Sequence, residues 1–433
     1  MTALHLKDRW DEYKHVSQND DEEGRVMLTS PTGPPPYASE EHRGLLQPEV
    51  VEVQLGQRPK RKRGGCCVCC GIDCSLLWKA IGIVLLILTV WNAFKLVRWA
   101  LTPAATGLET MPTYSTSLGC LAAPYIYNSS KLTLSARIGA NDAGHAFDTR
   151  GGAVGTITLA QGRADAKDVV YEMTIRTDDR SLLDNIQFSY PPVEADGSVL
   201  NSRLVMATPG IPPGSKSCLR YDIKIFVPPT LKKLHIAPHT VSHVQFDAEA
   251  RLNLDIVYVT LYATNPNNII LPHADIVAGK MSLEVFRGWI VGEVALSNTT
   301  NINTQRGDGV MNVKVIPTAP KNEDDPEVAQ LHTTTGAGRT DLFYNTPKEQ
   351  QHRPIRSTHI SSRNADMYFT YKDAGFNGLV ELDARSFTTS GLRPFAPREG
   401  DVGLRESWTH SYGDQNGGDR LSVSTRGWAG LYF

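Results

Sequence analysis

This 433-residue sequence is short of net charge, of cysteine beyond residue 74, and of helical periodicity beyond residue 101. Its net charge of −2 gives no broad cationic surface, so no nucleic-acid partner is expected. Only Cys120 and Cys218 follow Cys74. The sequence contains no Walker loop, no GxGxxG after a strand, no GxSxG and no HExxH. Without these motifs the chain reads as non-enzymatic, with no cofactor or metal. Lys and Arg are missing between Arg98 and Lys131.

Long apolar runs are equally scarce, and the single one organises the chain. The stretch Arg58 to Leu101 reads RPKRKRGGCCVCCGIDCSLLWKAIGIVLLILTVWNAFKLVRWAL. A bilayer helix needs roughly 20 apolar residues. We read one transmembrane helix over 76–97, with Lys79 and Lys95 snorkelling to the interfaces and Trp78, Trp91 and Trp99 suited to aromatic belts. The alternative is a buried helix of a soluble domain. The basic block Arg58, Lys60, Arg61, Lys62 and Arg63 precedes the segment, whereas only Lys95 and Arg98 close it. Positive flanks stay cytosolic, so residues 1–75 are expected inside and the remainder outside or in a lumen. The segment starts too late for a cleaved signal peptide and is expected to be an uncleaved signal anchor. The expected residence is the plasma membrane or the endosome and vacuole.

The tail, 1–75, lacks the periodicity needed for a core and is expected to be disordered. Pro34-Pro35-Pro36-Tyr37 fits the PPxY pattern read by WW domains. Its prolines pre-form the extended helix that such domains bind, which implies a WW-bearing ubiquitin ligase as partner. Glu41-x-x-x-Leu45-Leu46 resembles the acidic dileucine signals read by clathrin adaptors. The alternative for the first pattern is a plain Pro-rich linker, and for the second a chance occurrence. Cys66, Cys67, Cys69, Cys70 and Cys74 crowd the cytosolic face of the anchor and are palmitoylation candidates. Cys66/Cys69 and Cys67/Cys70 also have zinc-ligand spacing, but five thiols in nine residues leave little room to wrap a tetrahedron.

Residues 98–119 form a stalk rich in Pro, Ala, Thr and Gly, followed by a β region over 120–223 and a repetitive β domain over 224–433. Asn128-Ser129-Ser130 and Asn298-Thr299-Thr300 are glycosylation sequons. Cys120 and Cys218 are an even pair on the oxidising side and are expected to form a disulfide; two free buried thiols are the alternative. The segments GTITLAQG, DVVYEMTIRT, CLRYDIKIFVPP and KLHIAP alternate apolar and polar residues as strands do.

The later strands repeat. HTTTGAGRTDLFY (332–344), HISSRNADMYFTY (359–371) and SVSTRGWAGLYF (422–433) share a Ser/Thr-rich strand, a small corner and an apolar strand ending in aromatics. INTQRGDGVMNVKVI follows the same scheme. Such units cannot bury both faces alone and must stack, as in a β-solenoid or a repetitive sandwich. The final strand is expected to be the terminal rung. Polar insertions at 317–326, 345–357 and 390–419 read as surface loops. Over roughly 224–433 these units resemble the adhesin-like domain family, whose repeats are solenoid-like. The layout of tail, single helix and repetitive ectodomain resembles uncharacterised fungal single-pass membrane proteins.

The resemblance implies a binding or structural role, with a glycan or protein ligand on exposed strand faces. A membrane adaptor that recruits a ubiquitin ligase is one alternative. A membrane-tethered glycan-processing enzyme is another; it would need two of Asp255, Glu284, Glu293 and Asp308 across one groove. His235, His239 and His243, spaced by four, are read as surface or loop histidines before metal ligands. Arg306-Gly307-Asp308 is read as a strand connection.

Overall fold

The computed structural model describes residues 68–69, 72–101, 106–212, 214–304, 307–347, 349–395 and 408–433. Pro34, Pro35, Tyr37, Glu41, Leu45, Leu46, Cys66, Cys67 and Cys70 lie outside them. Cys69 and Cys74 are placed in backbone only, in a two-residue strand and at the start of the helix. The chain divides into two compact units, Met1–Lys95 and Leu96–Phe433.

The helix α1 spans Cys74–Leu101. Its stretch Trp78–Arg98 is apolar over 21 residues and exposed all round. At 1.5 Å per residue it is about 30 Å long, the thickness of a bilayer core. Apolar residues on every side and no packed face are what a membrane span requires. Helix continues past the expected end at Val97 because Lys95 and Arg98 are good helix formers. Thr102-Pro103 in the sequence disfavours further turns.

The second unit is mostly β. From Lys233 to Asp373 its strands alternate between two ladders, each strand running parallel to its ladder neighbours. Tyr125–Ile126, Leu132–Arg137, Asp168–Thr177, Gln187–Ser189 and His410–Tyr412 pair antiparallel at the margins. The first ladder runs Arg203–Ala207, Gly144–Arg150, Lys233–Pro238, Leu252–Leu261, Ile276–Val285, Thr299–Thr304, Ala329–Thr335 and Ile355–Ser361. The second ladder runs Leu219–Val227, Val154–Gln161, Ser242–Phe246, Ile269–Leu271, Trp289–Leu296, Val310–Pro317, Thr340–Asn345 and Met367–Asp373. Two long strands, Gly378–Ser390 and Asp419–Tyr432, pass through both ladders. Alternation sends every second residue inward, where Phe147, Ile157, Leu283, Ile290, Met311, Phe369 and Leu431 are fully buried. A side chain of this size contributes roughly 1.5–3 kcal/mol on burial.

The repeated small corner has a steric cause. A Cβ on Gly338 would meet the Gly309 carbonyl oxygen at 1.9 Å, and one on Gly427 would meet that of Ala365 at 2.3 Å. Backbone stacks directly on backbone at these turns, so only small residues fit.

The sheet does not stop at residue 224. That boundary falls inside Leu219–Val227, which pairs with Val154–Gln161 and Asp168–Thr177. The 98–119 stalk is corrected in its second half, because Ser115 and Gly119 are tied to Arg220 of the sheet. The last strand is not the terminal rung. Asp419–Tyr432 lies between Ile355–Ser361 and Met367–Asp373 on one side and Gly378–Ser390 on the other. Asp419 explains the placement: its buried carboxylate accepts from Ile355 N–H (2.7 Å) and Asn377 N–H (2.6 Å), one on each neighbour. The 345–357 insertion is anchored as well. Arg353 is buried and donates to the Glu327 carbonyl (2.6 Å), and His352 Nε2 meets Asp419 at 3.0 Å.

Candidate binding face

The outward side of the first ladder carries a row of polar side chains interrupted by Ala146 near its start. Register places Arg203, Ala146, His235, Tyr258, Ser282, Asn301, His332, Thr358, Ser422 and Glu381 on successive strands. Strands stand about 4.8 Å apart, so the row is on the order of 40 Å long. From Tyr258 to Glu381 every member is partly exposed, and seven adjacent strands offer a phenol, hydroxyl, amide, imidazole or carboxylate. A parallel row carries Thr260, Glu284, Asn303 and Thr334. Ser422 Oγ donates to Glu381 Oε2 (2.9 Å) at the far end.

The near end is charged. Asp148 is fully buried, and its Oδ2 accepts from Arg203 Nη2 (2.6 Å) with Arg150 Nη2 at 3.6 Å. Asp148 Oδ1 has no hydrogen-bond partner among the described residues. The Arg203 and Arg150 side chains are 52% and 56% exposed, so the buried acid holds two guanidiniums at the surface. His235 sits beside them, edge-on to Tyr258, and His239 stacks flat on Tyr262 at 4.5 Å. Burial, the largest influence on each, lowers both histidines from the usual value, and Asp148 opposes it.

The three spaced histidines thus separate. His235 faces out from the first ladder, His239 follows it, and His243 belongs to the second. The chain crosses between ladders after Pro238, which breaks the simple strand spacing. The four carboxylates do not gather at one place, although Asp255 and Glu284 lie on neighbouring strands of the first ladder. Glu284 and Glu293 stand on different ladders, Glu293 pairs with Lys314 (3.0 Å), and Asp308 pairs with Arg287 (2.7 Å). Asp255 is exposed near the start of its strand. Arg306 lies outside the described residues; Asp308 lies in the turn before Val310.

The outward side of the second ladder is used differently. His243, Ile269 and Trp289 are outward neighbours there, yet all are buried. Residues 114–119 clasp this end. His243 Nδ1 accepts from Ser115 N–H (2.8 Å), while its Nε2 lies 2.8 Å from the Asn267 carbonyl, which fixes the tautomer with the proton on Nε2. Arg220, 1% exposed, donates to the carbonyls of Ser115 (2.8 Å) and Gly119 (3.0 Å), to Ser115 Oγ (2.6 Å) and to Asp222 (2.8 Å). A disulfide joins Cys120 to Cys218 next to this clasp.

Between the ladders, several polar side chains bond one another, while the hydroxyls of Thr304, Thr335 and Thr340 have no hydrogen-bond partner among the described residues. His359 bonds Thr333 Oγ1 (2.8 Å) and Tyr371 OH (3.2 Å), and Tyr344 OH bonds Ser357 (2.7 Å). His145 bonds Ser202 (2.5 Å) and Tyr171. Burial pushes His145 and His243 down to about 4 and His359 to about 3. The Asp419 carboxylate raises His352. Both sequon asparagines are exposed: Asn128 in a turn at φ 52°, and Asn298 between Trp289–Leu296 and Thr299–Thr304.

Asp148, Arg150, Arg203 and Arg220 were not singled out in the sequence. The signal for Asp148 was an acid inside the alternating run GHAFDTR, but its partner Arg203 is 55 residues away.

No family model and no curated protein matches the chain. Among solved structures, a candidate cell-adhesion protein from Clostridium sporogenes is similar at 9% identity over 70% of this chain and 98% of that one. Its TM-score is 0.21, and the likeness supports no statement about this chain.

Proposed function

We propose that this chain is a non-enzymatic single-pass membrane protein that displays an adhesin-like β-solenoid, its two ladders forming the walls. Its N-terminal tail is cytosolic and its β unit is extracytosolic. The first ladder's outward face binds an extended glycan lying across the strands. The carrying observation is the register row from Arg203 to Glu381. Hydroxyl, amide and imidazole groups spaced by about 4.8 Å suit a polymer whose own hydroxyls recur along its length. The proposed tail partners, a WW-domain ligase and a clathrin adaptor, would act on traffic of the protein rather than on ligand.

Retention of the full-length protein in detergent on immobilised linear polysaccharides tests the binding face. The triple variant Asn301→Ala/His332→Ala/Thr358→Ala is expected to lose retention at an unchanged melting temperature. Retention equal to wild type would refute the assignment of the face. A glycosidase mobility shift abolished by Asn128→Gln/Asn298→Gln would support the orientation. Protease protection placing the β unit in the cytosol would overturn it.

A further inference from the structure

Resting on the glycan-binding reading, we propose that Arg150 and Arg203 form an anchor for the carboxylate or sulfate group of an acidic glycan. The two guanidiniums converge on one carboxylate at the start of the outward row. Two positive charges against one leave local positive charge. The negative charge is fully buried in Asp148, so it cannot meet an incoming anion, whereas both arginines are more than half exposed. Each guanidinium has five N–H donors, and Asp148 Oδ2 engages only a fraction of them. The remaining donors suit the planar, two-pronged geometry of an oxyanion.

The alternative, a purely structural ion pair, does not require two arginines, nor a buried carboxylate oxygen with no donor. Such an oxygen is costly to bury. The neighbourhood favours a sugar acid over a free anion. His239 stacked on Tyr262 makes a flat wall beside the arginines, and His235 leads directly into the row of hydroxyl and amide side chains. A polymer whose acid group sits on Arg150 and Arg203 is thereby aligned along the strands' stacking direction.

The test uses full-length protein in detergent and three polymers with one backbone: hydroxyethyl-cellulose, carboxymethyl-cellulose and cellulose sulfate. Wild type is expected to be retained most strongly by one or both acidic polymers, and which of the two names the group. Arg150→Gln leaves the closer Arg203–Asp148 pair in place and is expected to fold. It should weaken retention on the acidic polymer by about tenfold, the value of one charge-assisted bond, and leave the neutral polymer unchanged. Asp148→Asn/Arg150→Gln/Arg203→Gln removes the buried charge with its partners and should abolish the acidic preference. Equal retention of neutral and acidic polymers by wild type would overturn the anchor alone. So would an acidic preference that survives both variants at an unchanged melting temperature. Retention on none of the three would overturn the glycan reading and the anchor with it.

Discussion

The two ladders are woven from the same chain in alternating turns, yet their outward faces differ. At one end of the second ladder His243, Ile269, Trp289 and Arg220 point out and are buried, with His243 and Arg220 held by the 114–119 clasp beside a disulfide. On the first ladder the corresponding positions are hydroxyls, amides and imidazoles that remain partly open. Two parallel ladders of one chain therefore carry a holding end and an offering face. Residues at the holding end should govern stability, and residues on the offering face should govern binding with little effect on folding.

The largest expected effect comes from the holding end. Cys120→Ser/Cys218→Ser opens a loop of 98 residues' separation and should cost up to about 4–5 kcal/mol in the chain-entropy view, read by denaturant unfolding. Arg220→Met strips four acceptors of a buried donor and should cost about 3–5 kcal/mol; a change under about 1 kcal/mol would show that the clasp carries no weight. Asp419→Ala leaves one buried and one part-buried N–H group without acceptors and should cost about 2–4 kcal/mol, with faster proteolysis at the C-terminal strand.

Acid should act in the same direction. His145, His243 and His359 are neutral in the folded state, with values of about 4, 4 and 3. The unfolded chain binds protons there below about pH 6.5, so their contribution is full above that pH and is lost as pH falls toward 4. His352, raised by Asp419, behaves oppositely: its contribution is full below about pH 6.5 and is lost as pH rises through its folded value. Three groups outweigh one, so the melting temperature should fall between pH 6.5 and 4. A flat melting profile over that range would contradict the neutral assignment of the three histidines. The smallest effect belongs to the offering face, where Thr358→Ala should change stability by no more than about 0.5 kcal/mol.

Much of this division is visible in sequence, and some is not. Alternation in KLHIAP and DIKIF assigns inward and outward residues because strands have a period of two. The small corners mark where the chain passes between ladders, since backbone meets backbone there. Register across the ladder is not visible, because it depends on which distant strands pair. Hence Asp148 and Arg203 looked unrelated, and the last strand looked terminal although it is inserted before its predecessor. Residues 114–119 have the composition of a linker, and only the buried Arg220, which reads as a surface residue in CLRYDIKIF, reveals the clasp.

The most direct measurement compares glycan retention and melting temperature in Asn301→Ala/His332→Ala/Thr358→Ala and in Arg220→Met, both as full-length protein. The account predicts that the triple variant loses retention while melting like wild type, and that Arg220→Met melts early yet is still retained while folded. Retention lost in folded Arg220→Met and kept in the triple variant would contradict the division between the two faces.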